Sequence, residues 1–567
     1  MMRPFKSSAV ESVWIVFAAV ALCRLATAGE PASTSPGARA DSIFEKWDRS
    51  NSPGCAVAVY RDGKIIYERG YGMANLELGV RIGPQTVFDV GSTSKQFTSM
   101  SILLLSRDGK LSLDDDVRKF LPEIPDYGDR ITIRHLLHHT SGIRDYLELL
   151  MLEGFRDEDL TDDDDALKVI ARQRALNFRP GDEHLYSNSG YFLLSVIVKR
   201  VSGKSLREFA EERIFGPLGM IHTQVNDDHQ RIIPNRATGY DEQEGGGGFA
   251  ISMSDYEQTG DGAVLTSVED LLLWDRNFYE PIVGDRALID EMLAPGKLNS
   301  GEVLEYAKGL AVDEYRGLKT VSHGGAWAGY RAELLRFPEQ KLSVACLCNF
   351  GSTDPEAMAQ KVAEVYLGEQ MKPMEESGEA TGKPAVTLSP ADLSKLAGAY
   401  RNPKTGTVWM LTVEDGVLQV DTGSFNFRLV PASPSEFRAQ DAPVEIDVAF
   451  VAAATGQRPQ MVVQPAGRDK RFFDPLDPWA PTAAALAQFA GSYSSDEIGT
   501  AFRFEVADGK LYLRHRTLPD RPLRPTTVDG FNLGPLSFTF TRDSKKRADG
   551  FSLSMGRVKN ITFRRAL

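Results

Sequence analysis

Cysteine and histidine are scarce, with four and eight copies in 567 residues. Neither a disulfide framework nor a thiolate metal centre follows from so few, and no His or Asp stands at ligand spacing beside Cys346 and Cys348. No metal and no other cofactor is expected. Basic charge is also short: a net charge of -13 excludes a protein that coats duplex nucleic acid and favours a small or peptide-like substrate. Membrane-length apolar runs are missing too. The stretch Val13 to Leu22 is well short of the roughly 20 residues that cross a bilayer. With Arg3 and Lys6 before it and Ala26-Thr27-Ala28 after it, this stretch reads as a signal peptide over residues 1–28. Export to the periplasm or beyond is the expectation, with no membrane span after cleavage. Of the cysteines that would remain, Cys346 and Cys348 share one face of an expected strand, either as buried thiols or with one of them bridged to Cys55.

What is present is an ordinary globular composition, 42% hydrophobic and 25% charged, in a chain long enough for two to four domains. Residues 29–40 are rich in Pro, Ser, Gly and Ala and read as a tether, so folding is expected from Asp41. Cys55 to Tyr60 and Lys64 to Tyr67 flank Arg61-Asp62-Gly63 as a hairpin would. Helical segments dominate to about residue 280, and Ser267-Val268-Glu269-Asp270 opens one of them with a capping pattern. Strands return near Thr320 to Ser322, Glu333 to Phe337 and Leu342 to Leu347. Strands at both ends with helices between them predict an α+β domain over 41–368, its antiparallel sheet completed by distant parts of the chain.

A second linker is expected over 369–387, where Glu, Gly, Ser, Lys and Pro leave little to bury. Beyond it the chain repeats itself. Leu393, Gly398, Tyr400, Gly406 and Asp415-Gly416 recur as Leu486, Gly491, Tyr493, Gly499 and Asp508-Gly509, all at an offset of 93. Phe502, Phe504 and Val506, then Gly509, then Leu511 and Leu513, alternate as strand, turn, strand. Two small all-β, lipocalin-like barrels over 388–478 and 481–567 are predicted.

Chemistry concentrates in three places. Ser92-Thr93-Ser94-Lys95 leads into a helical stretch, which puts Ser92 and Lys95 one turn apart on one face. A serine hydroxyl needs a neighbour to take its proton, and a desolvated or charge-crowded lysine can lose its own to do so. Composition alone supplies about one Ser-x-x-Lys in a chain this long, so the tetrad matters for its company. That company is Leu185-Tyr186-Ser187-Asn188-Ser189-Gly190-Tyr191 and, further on, Ser322-His323-Gly324-Gly325-Ala326.

Three elements in this order resemble the β-lactamase and penicillin-binding-protein superfamily. The resemblance extends to Leu136-Leu137-His138-His139-Thr140-Ser141-Gly142 and Ile214-Phe215-Gly216-Pro217-Leu218-Gly219-Met220, and covers about residues 41–365. The Tyr-x-Asn element groups it with class C β-lactamases, D-alanyl-D-alanine carboxypeptidases and their esterase and D-aminopeptidase relatives, rather than with the Ser-Asp-Asn form. The resemblance implies Ser92 as nucleophile, Lys95 as base or relay, Tyr186 as a phenolate-like base whose pKa neighbouring cations lower, and Asn188 as donor to a substrate carbonyl. It also implies an oxyanion hole from the amides of Ser92 and Ala326 beside Gly325. His323 stands where many relatives carry the lysine of Lys-Thr-Gly, and a histidine near pH 7 is often neutral. Losing that cation weakens the case for substrates with a terminal carboxylate.

The expectation is a serine hydrolase acting on small amides, peptides or esters, with D-aminopeptidase activity favoured. The alternatives are a carboxypeptidase or β-lactamase, or a sensor acylated without turnover, while a ligand-binding role for the barrels with a vestigial hydrolase fits less well. His138 and His139 read as structural, Asp162 to Asp165 as a solvated helix start, and Gly245 to Gly248 as a flexible loop. Oligomeric state is left open.

Overall fold

The computed structural model describes residues 35–373 and 388–566, apart from residues 157, 244, 404–405, 424, 443–445, 452–457, 466–469, 478 and 519. The expected signal peptide over 1–28 and most of the expected linker over 369–387 lie outside the described residues. Residues 36–40, read as tether, instead open a helix, α1 (Pro36–Phe44), capped by Ser35 with proline at its first turn. Ala40 and Phe44 are buried against the sheet, so the folded domain starts before Asp41.

Two amino-terminal strands, β1 (Cys55–Arg61) and β2 (Lys64–Tyr71), join four late ones: β3 (Ala311–Tyr315), β4 (Leu318–Trp327), β5 (Tyr330–Phe337) and β6 (Leu342–Cys348). All pair antiparallel in the order β3-β4-β5-β6-β1-β2, as the position of the β-rich segments predicted. β1 and β6 are buried on both faces, which is why they read as continuous apolar runs rather than alternating ones. Val57, Val59, Val344 and Cys346 face α1 and the helix α2 (Pro355–Leu367), while Ala56, Ala58, Ala345 and Leu347 face the large helical core. Cys55 pairs in register with Cys348 and is disulfide-bonded to it, leaving Cys346 a buried free thiol. The bridge joins the first strand to the last across 293 residues.

Two further helices carry the site. The segment Gly91–Ser94 is a 3-10 turn that runs straight into α3 (Lys95–Arg107), whose first eleven residues are buried. It packs on α4 (Asn188–Ser202), itself buried from Asn188 to Val198. Ser267 caps its helix and Asp162 opens another through a capping box, as read from sequence. Gly245 to Gly248 form the tip of the short hairpin Tyr240–Glu242 with Phe249–Ile251.

The repeat is real in three dimensions. Tyr400 and Tyr493 both donate to the carbonyl four residues back, Leu396 and Phe489, at 2.9 and 3.0 Å. Asp415-Gly416 and Asp508-Gly509 make matching left-handed turns. The first copy closes as an eight-stranded barrel from Gly398 to Leu476. The second is an eight-stranded antiparallel sheet, with an isolated bridge between Tyr512 and Pro522 beside its end strands. Both interiors are filled by aromatic and aliphatic side chains, Trp409, Phe427 and Phe473 in the first and Phe504, Phe540 and Phe551 in the second.

The second module is tied to the hydrolase domain by a buried ion pair. Arg144 reaches Glu497 at 2.7 Å, with the two side chains 1% and 6% exposed, and Arg144 also donates to Gln173 and to the carbonyl of Asn560. Glu497 accepts further from the amide of Arg174. Glu497→Ala would strand a buried guanidinium at a cost of about 3–5 kcal/mol. It is expected to lower the thermal unfolding midpoint measurably, and an unchanged midpoint would show that the modules are held elsewhere.

Candidate active site

The turn Gly91–Ser94 is pressed against β4. Thr93 donates to the carbonyl of His323 at 3.0 Å, and a Cβ on Gly325 would lie 1.9 Å from the carbonyl oxygen of Val90. Position 325 therefore requires glycine for packing alone. Gly91 adopts φ +47 beside the Ala326 backbone, where a Cβ would lie 2.8 Å from the Ala326 nitrogen. The amide of Ala326 and the turn carrying Ser92 are thus neighbours, as an oxyanion hole needs.

Lys95 is wholly buried, and its Nζ contacts three oxygens: Ser92 Oγ at 2.9 Å, Asn188 Oδ1 at 3.0 Å and the Asp261 carbonyl at 2.6 Å. Burial pulls its pKa down from 10.5; the positive charge of Arg557 adds to the fall, and the carboxyls of Asp261 and Asp145 oppose it. Burial likewise pushes Asp261 up, so both groups are driven toward their neutral forms. A neutral amine has two hydrogens and one lone pair. The two carbonyl oxygens can only accept, so they take the hydrogens and leave the lone pair for the Ser92 hydroxyl. That arrangement can remove the serine proton. It also occupies Asn188 Oδ1, leaving the Asn188 amide nitrogen to donate to a ligand.

Tyr186 stands over this group, its ring centroid 4.8 Å from Lys95 Nζ and its hydroxyl close enough to Ser92 to interact with it. No partner in good hydrogen-bonding geometry holds that hydroxyl among the described residues. The expected lowering of its pKa is reversed: burial raises it above 10.0, and the pull of Ser92 and Arg557 is smaller. Burial therefore favours the neutral phenol at Tyr186.

His323 is neutral as anticipated, its pKa lowered to about 4 chiefly by burial, with Lys95 adding to the effect. Its Nδ1 lies 2.6 Å from the Gly324 carbonyl, which can only accept, so Nδ1 carries the proton. Nε2 then accepts from the Tyr306 hydroxyl at 2.9 Å. Both nitrogens are used internally, which makes His323 a fixed uncharged wall rather than a base.

Four contributors escaped the sequence reading. Tyr306 and Asp261 carry no local signal and reach the site only through the fold. His139, read as structural, holds a left-handed φ of +56, accepts from the Ser187 amide at 3.1 Å and stacks its ring 4.2 Å from that of Tyr186. A non-glycine residue in that conformation costs about 1–3 kcal/mol and persists where the surroundings impose it. The fourth is Arg557, from the second repeat module, with its guanidinium 4.9 Å from the Tyr186 ring.

The seven residues singled out from sequence, Ser92, Lys95, Tyr186, Asn188, His323, Gly325 and Ala326, thus come together. Around them lies a cleft of about 2600 Å³ whose walls include Trp409 and Arg471 of the first module and Gly556 and Arg557 of the second.

Fold and site define a serine hydrolase. The Beta-lactamase family model matches residues 40–367, and the chain belongs to that family. It is similar to a D-aminopeptidase of Gluconobacter oxydans (29% identical, covering 82% of this chain and 84% of that protein). A D-aminopeptidase of Brucella anthropi is 27% identical over 90% of this chain and 95% of its own length. Penicillin-binding protein 4* of Bacillus subtilis is 28% identical over 72% of this chain and 92% of its own length. Among solved structures, the octameric penicillin-binding protein homologue from Pyrococcus abyssi superposes with a TM-score of 0.54 at 25% identity, covering 74% of this chain and 96% of that one.

The lysine's state sets a sign for pH dependence. Its neutral form is the one able to take a proton, so the reactivity of Ser92 toward an organophosphonate should rise with pH through a limb far below 10.5. A labelling rate that rises only near the ordinary lysine value would contradict this reading.

Proposed function

We propose that this chain is an exported hydrolase that cleaves small amides or peptides through an acyl-enzyme on Ser92, with amino-terminal D-amino acids as its preferred acyl groups. One observation carries the chemistry: Lys95 Nζ lies within hydrogen-bonding distance of Ser92 Oγ, Asn188 Oδ1 and the Asp261 carbonyl, so a neutral amine donating to the two carbonyls turns its lone pair to Ser92. Ser92 Oγ attacks the substrate carbonyl carbon as its proton passes to Lys95. The oxyanion is held by the amides of Ser92 and Ala326. The proton returns to the leaving amine, with the Tyr186 hydroxyl between them as relay, and water then repeats the sequence to release the acid.

The preference for D-amino acids rests on the similarity to two D-aminopeptidases, matched over 82% and 90% of this chain. The carboxypeptidase and β-lactamase alternatives lose support because His323, in the place of a permanent cation, is neutral and has both nitrogens engaged. Export rests on the amino-terminal segment and accords with the Cys55–Cys348 bridge, since disulfides persist in oxidising compartments.

Release of nitroaniline from D-alanine p-nitroanilide is the direct test. Turnover should fall by at least about a thousandfold in Ser92→Ala. It should also fall sharply when the substrate amine is acetylated. Equal cleavage of free and acetylated substrates would replace the aminopeptidase reading with an esterase or general amidase.

A further inference from the structure

The second repeat module ends in a hairpin of strands Ala548–Met555 and Val558–Arg565, joined by the two-residue turn Gly556-Arg557. That turn is driven into the hydrolase domain and fastened by its backbone. The Arg557 amide donates to Glu148 Oε2 at 2.8 Å, the Arg557 carbonyl accepts from Asn177 Nδ2 at 2.7 Å, and the Lys559 amide donates to Asn177 Oδ1 at 2.8 Å. Glycine suits the position before the arginine: Gly556 adopts a φ of +30, and a Cβ there would press on Glu148 Oε1 at 2.4 Å. Three bonds thus fix the backbone from which the side chain of Arg557 extends.

It is delivered to the catalytic group. The guanidinium lies 4.9 Å from the Tyr186 ring centroid, and Nη1 lies 3.6 Å from Asp145 Oδ2. The same Asp145 oxygen accepts from the Asn188 backbone amide at 2.7 Å, and so fixes the first residue of α4. Arg557 therefore meets Tyr186 directly and reaches Asn188 through the Asp145 carboxylate, and both of these residues contact Lys95. Its side chain is 39% exposed and lines the cleft, whereas Asp145 is 1% exposed.

We propose that Arg557 is a positioning residue of the acyl-transfer site, supplied by the second module, which holds Tyr186 and the Asp145–Asn188 pair in register with Lys95. This rests on the assignment of Ser92 and Lys95 above. A guanidinium over an aromatic face is attracted to it and keeps the ring in place. Its charge also acts on Lys95 in a setting where Asp145 and Asp261 favour the ammonium and burial, together with Arg557, disfavours it. Tyr186, His139 and His323 face the same amine, and burial keeps each of them uncharged. Arg557 is the permanent cation of this group. The module is on this account part of the enzyme's catalytic machinery as well as of its outer wall.

The test compares Arg557→Gln and Arg557→Lys with the unaltered full chain, using the pH dependence of organophosphonate labelling at Ser92, a readout that needs no knowledge of the substrate. In Arg557→Gln the labelling limb should move to higher pH by about one unit, because removing a like charge raises the lysine's pKa. The plateau rate should drop about 10- to 100-fold from lost alignment. Arg557→Lys should restore most of the pH limb but less of the plateau, since it keeps charge without the planar fork. Thermal unfolding midpoints report whether either variant is merely unstable. A limb at the same pH in all three proteins, or equal changes in Gln and Lys variants, overturns the proposal while leaving the hydrolase reading intact. Failure of the unaltered protein to label at Ser92 defeats both.

Discussion

An amine with no water around it must find partners or give up its charge, and Lys95 is placed so that both happen. Its three oxygen contacts come from the turn before α3, from the start of α4 and from the segment around Asp261. Each must approach within hydrogen-bonding distance of one atom. The close packing elsewhere follows from that demand. Gly309 runs so near α3 that a Cβ would lie 2.7 Å from the Lys95 carbonyl, and Gly260 passes α4 with a Cβ position 2.4 Å from the Tyr191 carbonyl. Thr98 donates to the Gly260 carbonyl at 2.7 Å, which fixes the Asp261 segment against α3. Loosening any of these would admit water, and a hydrated lysine would regain its proton.

What the sequence disclosed about this site was what is local in the chain. Ser92 and Lys95 are one turn apart, Tyr186 and Asn188 two residues apart, and His323, Gly325 and Ala326 lie along one strand, so residue type and spacing were enough to find them. The repeats were equally legible because a constant offset of 93 needs no structure to be seen. Asp261, Tyr306 and Arg557 act only after the chain has folded back over long separations, and no spacing connects them to Ser92. The error over Tyr186 has the same origin. Nearby cations were correctly expected to lower its pKa, but the sequence does not tell how deeply a tyrosine is buried, and burial is the larger effect. Within the expected tether, residues 36–40 are helical instead, because composition rich in small residues hid the Ser35 cap and the apolar face of Ala40 and Phe44.

The repeats show how duplication can produce unequal roles. Both copies keep the same tyrosine bond, the same left-handed turns and the same packed interior. Only the second is anchored through the buried pair of Arg144 and Glu497, and that anchor lies on the same face as the Gly556-Arg557 turn. Asn560, whose carbonyl receives Arg144, is three residues from Arg557. The residue that docks the module therefore also bonds the strand that carries the Gly556-Arg557 turn.

His323 can be understood from the same electrostatic balance. A lysine at this position would place a second amine on the wall that already faces Lys95, in a region where unlike charges are few and screening is weak. One of the two would have to lose its proton, and the catalytic lysine's state would depend on its neighbour's. A histidine whose proton sits on Nδ1 and whose Nε2 is occupied by Tyr306 adds no charge at all. The permanent positive charge is carried instead by Arg557, paired with Asp145 and half in solvent, where it acts on Lys95 without competing with it for a proton. With the cation on the module, the charge reaches the site from the cleft wall opposite the strand that carries His323.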